Sequence, residues 1–90
     1  SFFEIRPKEV IFYSLRQKDE KDFIIRGYSF SKDVRIRFNY PPQEAKLLSL
    51  DEKEIIQDLP IKGNWIKIED VKNKVFTLKI SFKTFPLSLF

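Results

Sequence analysis

The chain has 90 residues, of which 42% are hydrophobic and 33% are charged, with a formal net charge of +4. This length fits a single domain, 1–90, and this composition supplies both a core and a solvated surface, which excludes a low-complexity or disordered chain. His and Cys are absent, which excludes disulfides, the standard zinc ligands and most catalytic templates, so we expect a non-catalytic domain with neither metal nor cofactor.

The first strand signal of the chain is interrupted by a proline. Hydrophobic runs at 3–5 and 10–13 flank Pro7, which cannot donate to a sheet ladder and so marks an edge or a crossing between sheets. We therefore expect the first strand to be broken at this point.

Two further runs have strand character. In 33–39, apolar residues alternate with polar residues that include Arg35 and Arg37, which is the period of a half-buried strand. The run 23–28 is rich in β-forming residues, and the small and polar residues of 29–33 suit a hairpin turn. We predict that these two strands pair antiparallel.

The second half of the chain continues this pattern. Two prolines at 41–42 end the preceding strand, and 51–59 fits either a helical turn or a short strand, of which we favour the strand. A turn at 62–64 precedes a strand at 65–68, and 75–83 has the clearest alternation in the chain. About seven short strands without an amphipathic helix predict an all-β sandwich of antiparallel sheets. The alternative is an OB-type barrel, whose helix would lie within 43–56.

Aromatic residues interleaved with basic ones raise the possibility of nucleic-acid binding. Most of them, such as Phe38, share a face with aliphatic residues and are predicted to lie in the core. Acidic residues interrupt the basic ones along most of the chain, so nucleic acid is not the favoured partner. Trp65 is out of phase with Ile66 and Ile68, which predicts either a partly exposed interface anchor or a cap on the core.

The location of the protein is inferred from what the sequence lacks. A chain without Cys favours an intracellular protein, and no apolar stretch is long enough to insert into a membrane. The first residue is Ser1 and not Met, so we expect a domain excised from a larger protein.

Several segments resemble one family. The pattern F-x-I-x-P-x-x-V-x-F at 3–12 resembles the opening of ASH and MSP domains, the PapD-like immunoglobulin folds of ciliary, centrosomal and membrane-contact proteins. The segments 22–29 and 34–42 are similar to the strands and Pro-Pro sequence of Hydin-like repeats, and 76–82 is similar to their closing strand. The chain departs from the family at 27–28, where Asn is usual.

A second departure is 71–74, which stands where the family has a Pro-Gly turn. The resemblance implies an immunoglobulin-like, PapD/MSP-type antiparallel β-sandwich of about seven strands. It also implies a non-catalytic interaction or scaffold module of the cytoplasm, cilium, flagellum or centrosome. Its partner would be a protein, such as an acidic peptide or a tubulin-associated protein.

MSP relatives bind short acidic peptides through a basic face, and the outward Arg35 and Arg37, with nearby Arg26 and Lys32, could serve similarly in this chain. Together with Trp65, the possible interface anchor noted above, these are the candidate partner-binding residues. The alternative is an ordinary solvated face of an antiparallel sheet. Two other functions also stay open: single-stranded nucleic-acid binding on an OB-like barrel, and carbohydrate binding or adhesion by a secreted bacterial sandwich.

Overall fold

A computed structural model describes residues 3–7 and 10–83 of the chain. These residues form nine β-strands and no helix. The strands are β1 Phe3–Arg6, β2 Val10–Gln17, β3 Asp22–Ser29, β4 Val34–Phe38, β5 Glu44–Leu48, β6 Ile55–Asp58, β7 Ile61–Lys62, β8 Trp65–Ile68 and β9 Lys74–Ser81. Nothing in these two ranges is a helix able to cross a bilayer.

The strands form two antiparallel sheets that pack as a sandwich. One sheet has four strands in the order β1-β4-β8-β7, and the other has five in the order β2-β3-β9-β5-β6. The predicted all-β sandwich is thereby confirmed. The alternative of an OB-type barrel is wrong, because 43–56 forms β5, a turn and the start of β6 where that barrel needs a helix.

The core lies between the two sheets and follows from the alternation of the sequence. In β4, the apolar residues are buried and the two arginines are exposed, as period-two spacing predicts. Apolar side chains of β3 and β9 meet them from the five-stranded sheet. The largest fully buried members of this core are Phe23, Phe38, Phe76, Ile25, Ile36, Ile66, Ile68, Leu78 and Ile80.

The predicted pairing of β3 with β4 is wrong. β3 lies between β2 and β9, whereas β4 lies between β1 and β8 in the other sheet. The connection between them crosses from sheet to sheet and is held by backbone bonds from Val71 N–H to Lys32 and from Asn73 N–H to Ser29. Small polar residues suit such a crossing as well as they suit a hairpin, and alternation alone does not identify a strand's partner.

The other predictions of strands are largely confirmed. The first strand is broken at Pro7, since β1 belongs to the four-stranded sheet and β2 to the five-stranded one. Within 51–59, only Ile55–Asp58 is strand, and the residues before it form a turn. The hairpin of β7 and β8 turns at 63–64, where the positive φ of Gly63, 61°, suits glycine. This short hairpin and the break at Pro7 raise the number of described strands from the expected seven or so to nine.

Candidate functional site

The outer face of the four-stranded sheet carries basic side chains from all four strands. We call its outward-facing residues the basic face; they are Glu4, Arg6, Arg35, Arg37, Lys62, Trp65 and Lys67. Five of these seven side chains are cationic. Each is outward because its neighbours along the strand face the core, so the alternation that builds the core also builds this face.

Strand register arranges the basic face in two rows across the sheet. One row contains Glu4, Arg37, Trp65 and Lys62, and the other contains Arg6, Arg35 and Lys67. Residues directly opposite each other on antiparallel strands have Cβ atoms about 5 Å apart, so each row is nearly continuous. Cations from strands far apart in sequence are thus brought together on one surface.

Trp65, the single tryptophan of the chain, lies partly exposed in the middle of this surface. The guanidinium carbon of Arg35 lies 5.6 Å from the centroid of the Trp65 ring, within the range of a cation–π interaction. Asn64 fixes the start of β8, because its side-chain amide donates to the Phe38 carbonyl at 3.0 Å and its own carbonyl accepts the Phe38 N–H at 2.8 Å. The ring is therefore presented at a defined position.

Most of the cations on the basic face have no carboxylate partner in the part of the chain that the structure describes. Arg6 is paired with Glu4 at 2.6 Å, and Lys67 approaches Glu69 only to 3.9 Å. Among residues 3–7 and 10–83, no ion pair involves Arg35, Arg37 or Lys62. Their charges are available to an anionic partner.

The outer face of the five-stranded sheet differs, because its cations are paired. Glu52 binds both Arg16 and Arg26, the latter at 3.0 Å. Lys46 binds Asp58 at 2.7 Å, and this hydrogen bond raises the pKa of Lys46 above its ordinary value. Within the described residues the sandwich is therefore asymmetric, because the cations of one outer face are paired with carboxylates and most of those on the other face are not.

The structure brings together three of the five candidate residues. Arg35, Arg37 and Trp65 share the basic face. Arg26 lies on the opposite outer face, where it also donates to the Leu50 carbonyl at 2.9 Å. Lys32 lies on the connection between β3 and β4, largely exposed and 3.9 Å from Asp70.

Three further cations of the face, Arg6, Lys62 and Lys67, were not singled out from the sequence. The signal for Lys67 is its place between two inward isoleucines, and the signal for Arg6 is its place directly after the inward-facing Ile5. The sequence does not reveal strand register. Register places Arg6 and Lys67 opposite Arg35, and it places Lys62 opposite Trp65.

Two open clefts mark this surface. One, about 800 Å³ in volume, lies at the Arg6 end of the face, and the other, about 560 Å³, adjoins Trp65 and Lys62. Arg35 and Lys67 line both clefts, so the two clefts lie next to each other on the sheet. Such a surface can accept carboxylates along an extended segment, with guanidinium groups donating in pairs.

The part of the chain that the structure describes contains no group of three or more acidic, His or Cys side chains suited to a metal ion. Comparison of the chain with protein-family models, curated proteins and solved structures finds no match. The likeness to ASH and MSP domains rests on the sequence pattern alone.

Proposed function

We propose that this chain is a non-catalytic protein-interaction module that binds an acidic segment of a partner protein across the basic face. The observation that carries the proposal is the charge asymmetry between the two outer faces. Cations on the five-stranded sheet are paired with carboxylates, whereas Arg35, Arg37 and Lys62 have no ion pair among residues 3–7 and 10–83.

Each part of the face has a role in such binding. The unpaired cations attract an acidic segment and set its orientation, because complementary charge raises association rates and specificity. Trp65 supplies an aromatic anchor of the type that dominates binding energy at protein interfaces. The two clefts on either side of Arg35 accommodate side chains of an extended segment.

An acidic peptide suits the face better than a nucleic acid does. Proteins that bind single strands stack successive bases on several aromatic rings, and the outward positions of this sheet offer only Trp65. A carbohydrate is disfavoured as well. The half-buried Tyr28 and the exposed Phe30 are far from coplanar, with an interplanar angle of 66°.

The resemblance to ASH and MSP domains supports a more specific form of the proposal. In that form the sandwich is of the immunoglobulin-like PapD type and belongs to a larger intracellular protein of the cilium, flagellum or centrosome. Tagging the parent protein and imaging it in ciliated cells tests this location. Signal restricted to other compartments would contradict the ciliary and centrosomal assignment without affecting the binding proposal.

Trp65 provides a direct test, because the single tryptophan reports on the basic face itself. We expect its fluorescence to change saturably as a peptide rich in Asp and Glu is added, with affinity that falls as salt increases. A Lys-rich peptide of equal length should cause no change. The proposal would be contradicted by equal responses to both peptides, by no response, or by tighter binding of a single-stranded oligonucleotide at the same ionic strength.

A further inference from the structure

The basic face contains one carboxylate of its own. Glu4 is the only acidic residue among the seven outward-facing residues that define this face. Its Oε1 accepts a hydrogen bond from Nη2 of Arg6 at 2.6 Å. The two residues are two positions apart on β1, so they point to the same side of the sheet. The side chains of Arg6 and Glu4 stay 59% and 48% exposed, so solvent and ligands reach this ion pair.

Strand register places a second arginine beside this carboxylate. Glu4 lies directly opposite Arg37 of β4, and Arg6 lies opposite Arg35. Paired residues on antiparallel strands have Cβ atoms about 5 Å apart, a distance that a long arginine side chain spans. Arg37 forms no ion pair within residues 3–7 and 10–83. Glu4 therefore has one arginine near it on its own strand and another on the neighbouring strand.

The ion pair between Glu4 and Arg6 is of a kind that exchanges readily. In the described structure a single hydrogen bond joins the two side chains, whereas the strong form of an arginine–carboxylate contact has two parallel bonds. Exposed ion pairs contribute little to stability, because water screens the charges and two long side chains must be held in one geometry. Glu4 can therefore release Arg6 at a small cost in free energy when another carboxylate approaches.

Glu4 and Arg6 both line the larger cleft of the basic face. That cleft, about 800 Å³ in volume, is also lined by Arg35 and Lys67. An acidic segment that enters the cleft meets the Glu4 carboxylate, and the like charges repel each other. Glu4 thus lies where arginine side chains stabilise a carboxylate, which is also where a carboxylate of the partner would be stabilised.

We propose that Arg6 and Arg37 form a carboxylate subsite that Glu4 fills in the free protein, and that an Asp or Glu side chain of the partner replaces Glu4 there. This inference rests on the proposed function and names one contact within it. On binding, Arg6 exchanges one carboxylate for another, so it adds little net affinity while Glu4 is present. Glu4 therefore lowers the affinity for acidic segments, and its removal makes the subsite available.

Glu4→Gln tests the subsite, because it removes the competing charge and keeps the size of the side chain. At low ionic strength, we expect this variant to bind the acidic peptide about 2- to 5-fold more tightly, as release from one exposed ion pair allows. Glu69→Gln is the matched control. It changes the net charge equally, and Glu69 is two residues from Lys67 but only approaches it to 3.9 Å. Its affinity should stay within about 1.5-fold of the wild type.

A double-mutant cycle with Arg6→Gln separates the subsite from the general field of the face. The gain from Glu4→Gln should be no more than about half as large in the Arg6→Gln background, whereas effects of net charge alone would add. Circular dichroism establishes that each variant is folded. Equal gains from Glu4→Gln and Glu69→Gln, an equal gain with and without Arg6, or no gain from Glu4→Gln would each overturn the subsite and leave the proposed function standing. A wild-type protein that does not bind the peptide would overturn both.

Discussion

Gly27 shows how one residue fits neighbouring strands of the five-stranded sheet together. A Cβ atom built at this position would lie 2.7 Å from Cζ of Phe76 and 3.1 Å from the Ile11 carbonyl oxygen. Phe76 is buried in the core and has little room to move. This contact gives a physical reason for glycine where the ASH and MSP pattern has Asn.

We therefore predict that Gly27→Ala lowers the free energy of unfolding by about 1–3 kcal/mol, the usual cost of overpacking. The lower unfolded-state entropy of Ala would stabilise by less than that. Urea unfolding measures the change. Combining Gly27→Ala with Phe76→Leu should recover part of the loss, whereas a neutral or stabilising Gly27→Ala would contradict the steric account.

Glu52 links the turn at 49–54 to the outer face of the five-stranded sheet. Its backbone adopts a positive φ of 64°, and its carboxylate binds Arg16 and Arg26. Non-glycine residues rarely adopt this conformation, so the bonds to the two arginines offset its cost.

Glu52→Gln leaves a non-glycine residue at this positive φ and removes only the negative charge of the side chain. We expect a loss of about 0.5–1.5 kcal/mol in the free energy of unfolding, since the pairs are partly exposed. The loss should shrink at high salt, because salt screens the ion pairs. Glu20→Gln, at an exposed position in the turn after β2, is the control and should be neutral within error. Equal effects of the two substitutions would exclude the proposed role of Glu52.

The turn at 49–54 is an element held by its own polar side chains. Asp51 accepts from the Ser49 hydroxyl at 2.6 Å and from the Lys53 N–H at 3.0 Å. The hydrogen bond from Ser49, followed by that from Lys53, lowers the pKa of Asp51 below its ordinary value. A turn built in this way is sensitive to acid.

The sign of the pH effect follows from that lowered pKa. The contribution of Asp51 to stability is present above the ordinary aspartate pKa and is lost as pH falls below about 4. Unfolding free energies measured across this range should therefore fall less steeply for Asp51→Asn than for the wild type. Ser49→Ala should also flatten the curve, since it removes the largest cause of the shift. An unchanged slope in both variants would contradict this assignment.

Strand positions were largely predictable from the sequence, whereas strand partners were not. Alternation identified β4, β8 and β9 because burial of one face imposes a period of two. It did not reveal that β3 and β4 belong to different sheets. The choice of a partner strand depends on packing between residues that are far apart in sequence. The short segment that links two strands carries no periodic pattern that would reveal this choice.

At the scale of the whole molecule, prediction of the candidate site was limited in the same way, because strand partners cannot be read from the sequence. Arg35, Arg37 and Trp65 share a face, as their alternation allows. Arg26 is close to them in sequence but lies on the other sheet, because the chain crosses between sheets at 30–33. Alternation makes Lys67 face outward, and strand register places it beside Arg35. The charge asymmetry of the sandwich is therefore a property of the fold.

The most direct test of the central claim compares two double charge reversals that change the net charge equally. Arg35→Glu with Arg37→Glu alters the basic face, and Lys18→Glu with Lys72→Glu alters exposed turns. For Lys18 and Lys72, the described structure shows no ion pair.

Affinity for the acidic peptide is measured by calorimetry, after circular dichroism has shown both variants to be folded. We predict that the first pair weakens binding by about tenfold or more and that the second leaves it within about twofold of the wild type. Equal weakening by both pairs would show that only net charge attracts the peptide, and it would contradict a binding site on the four-stranded sheet.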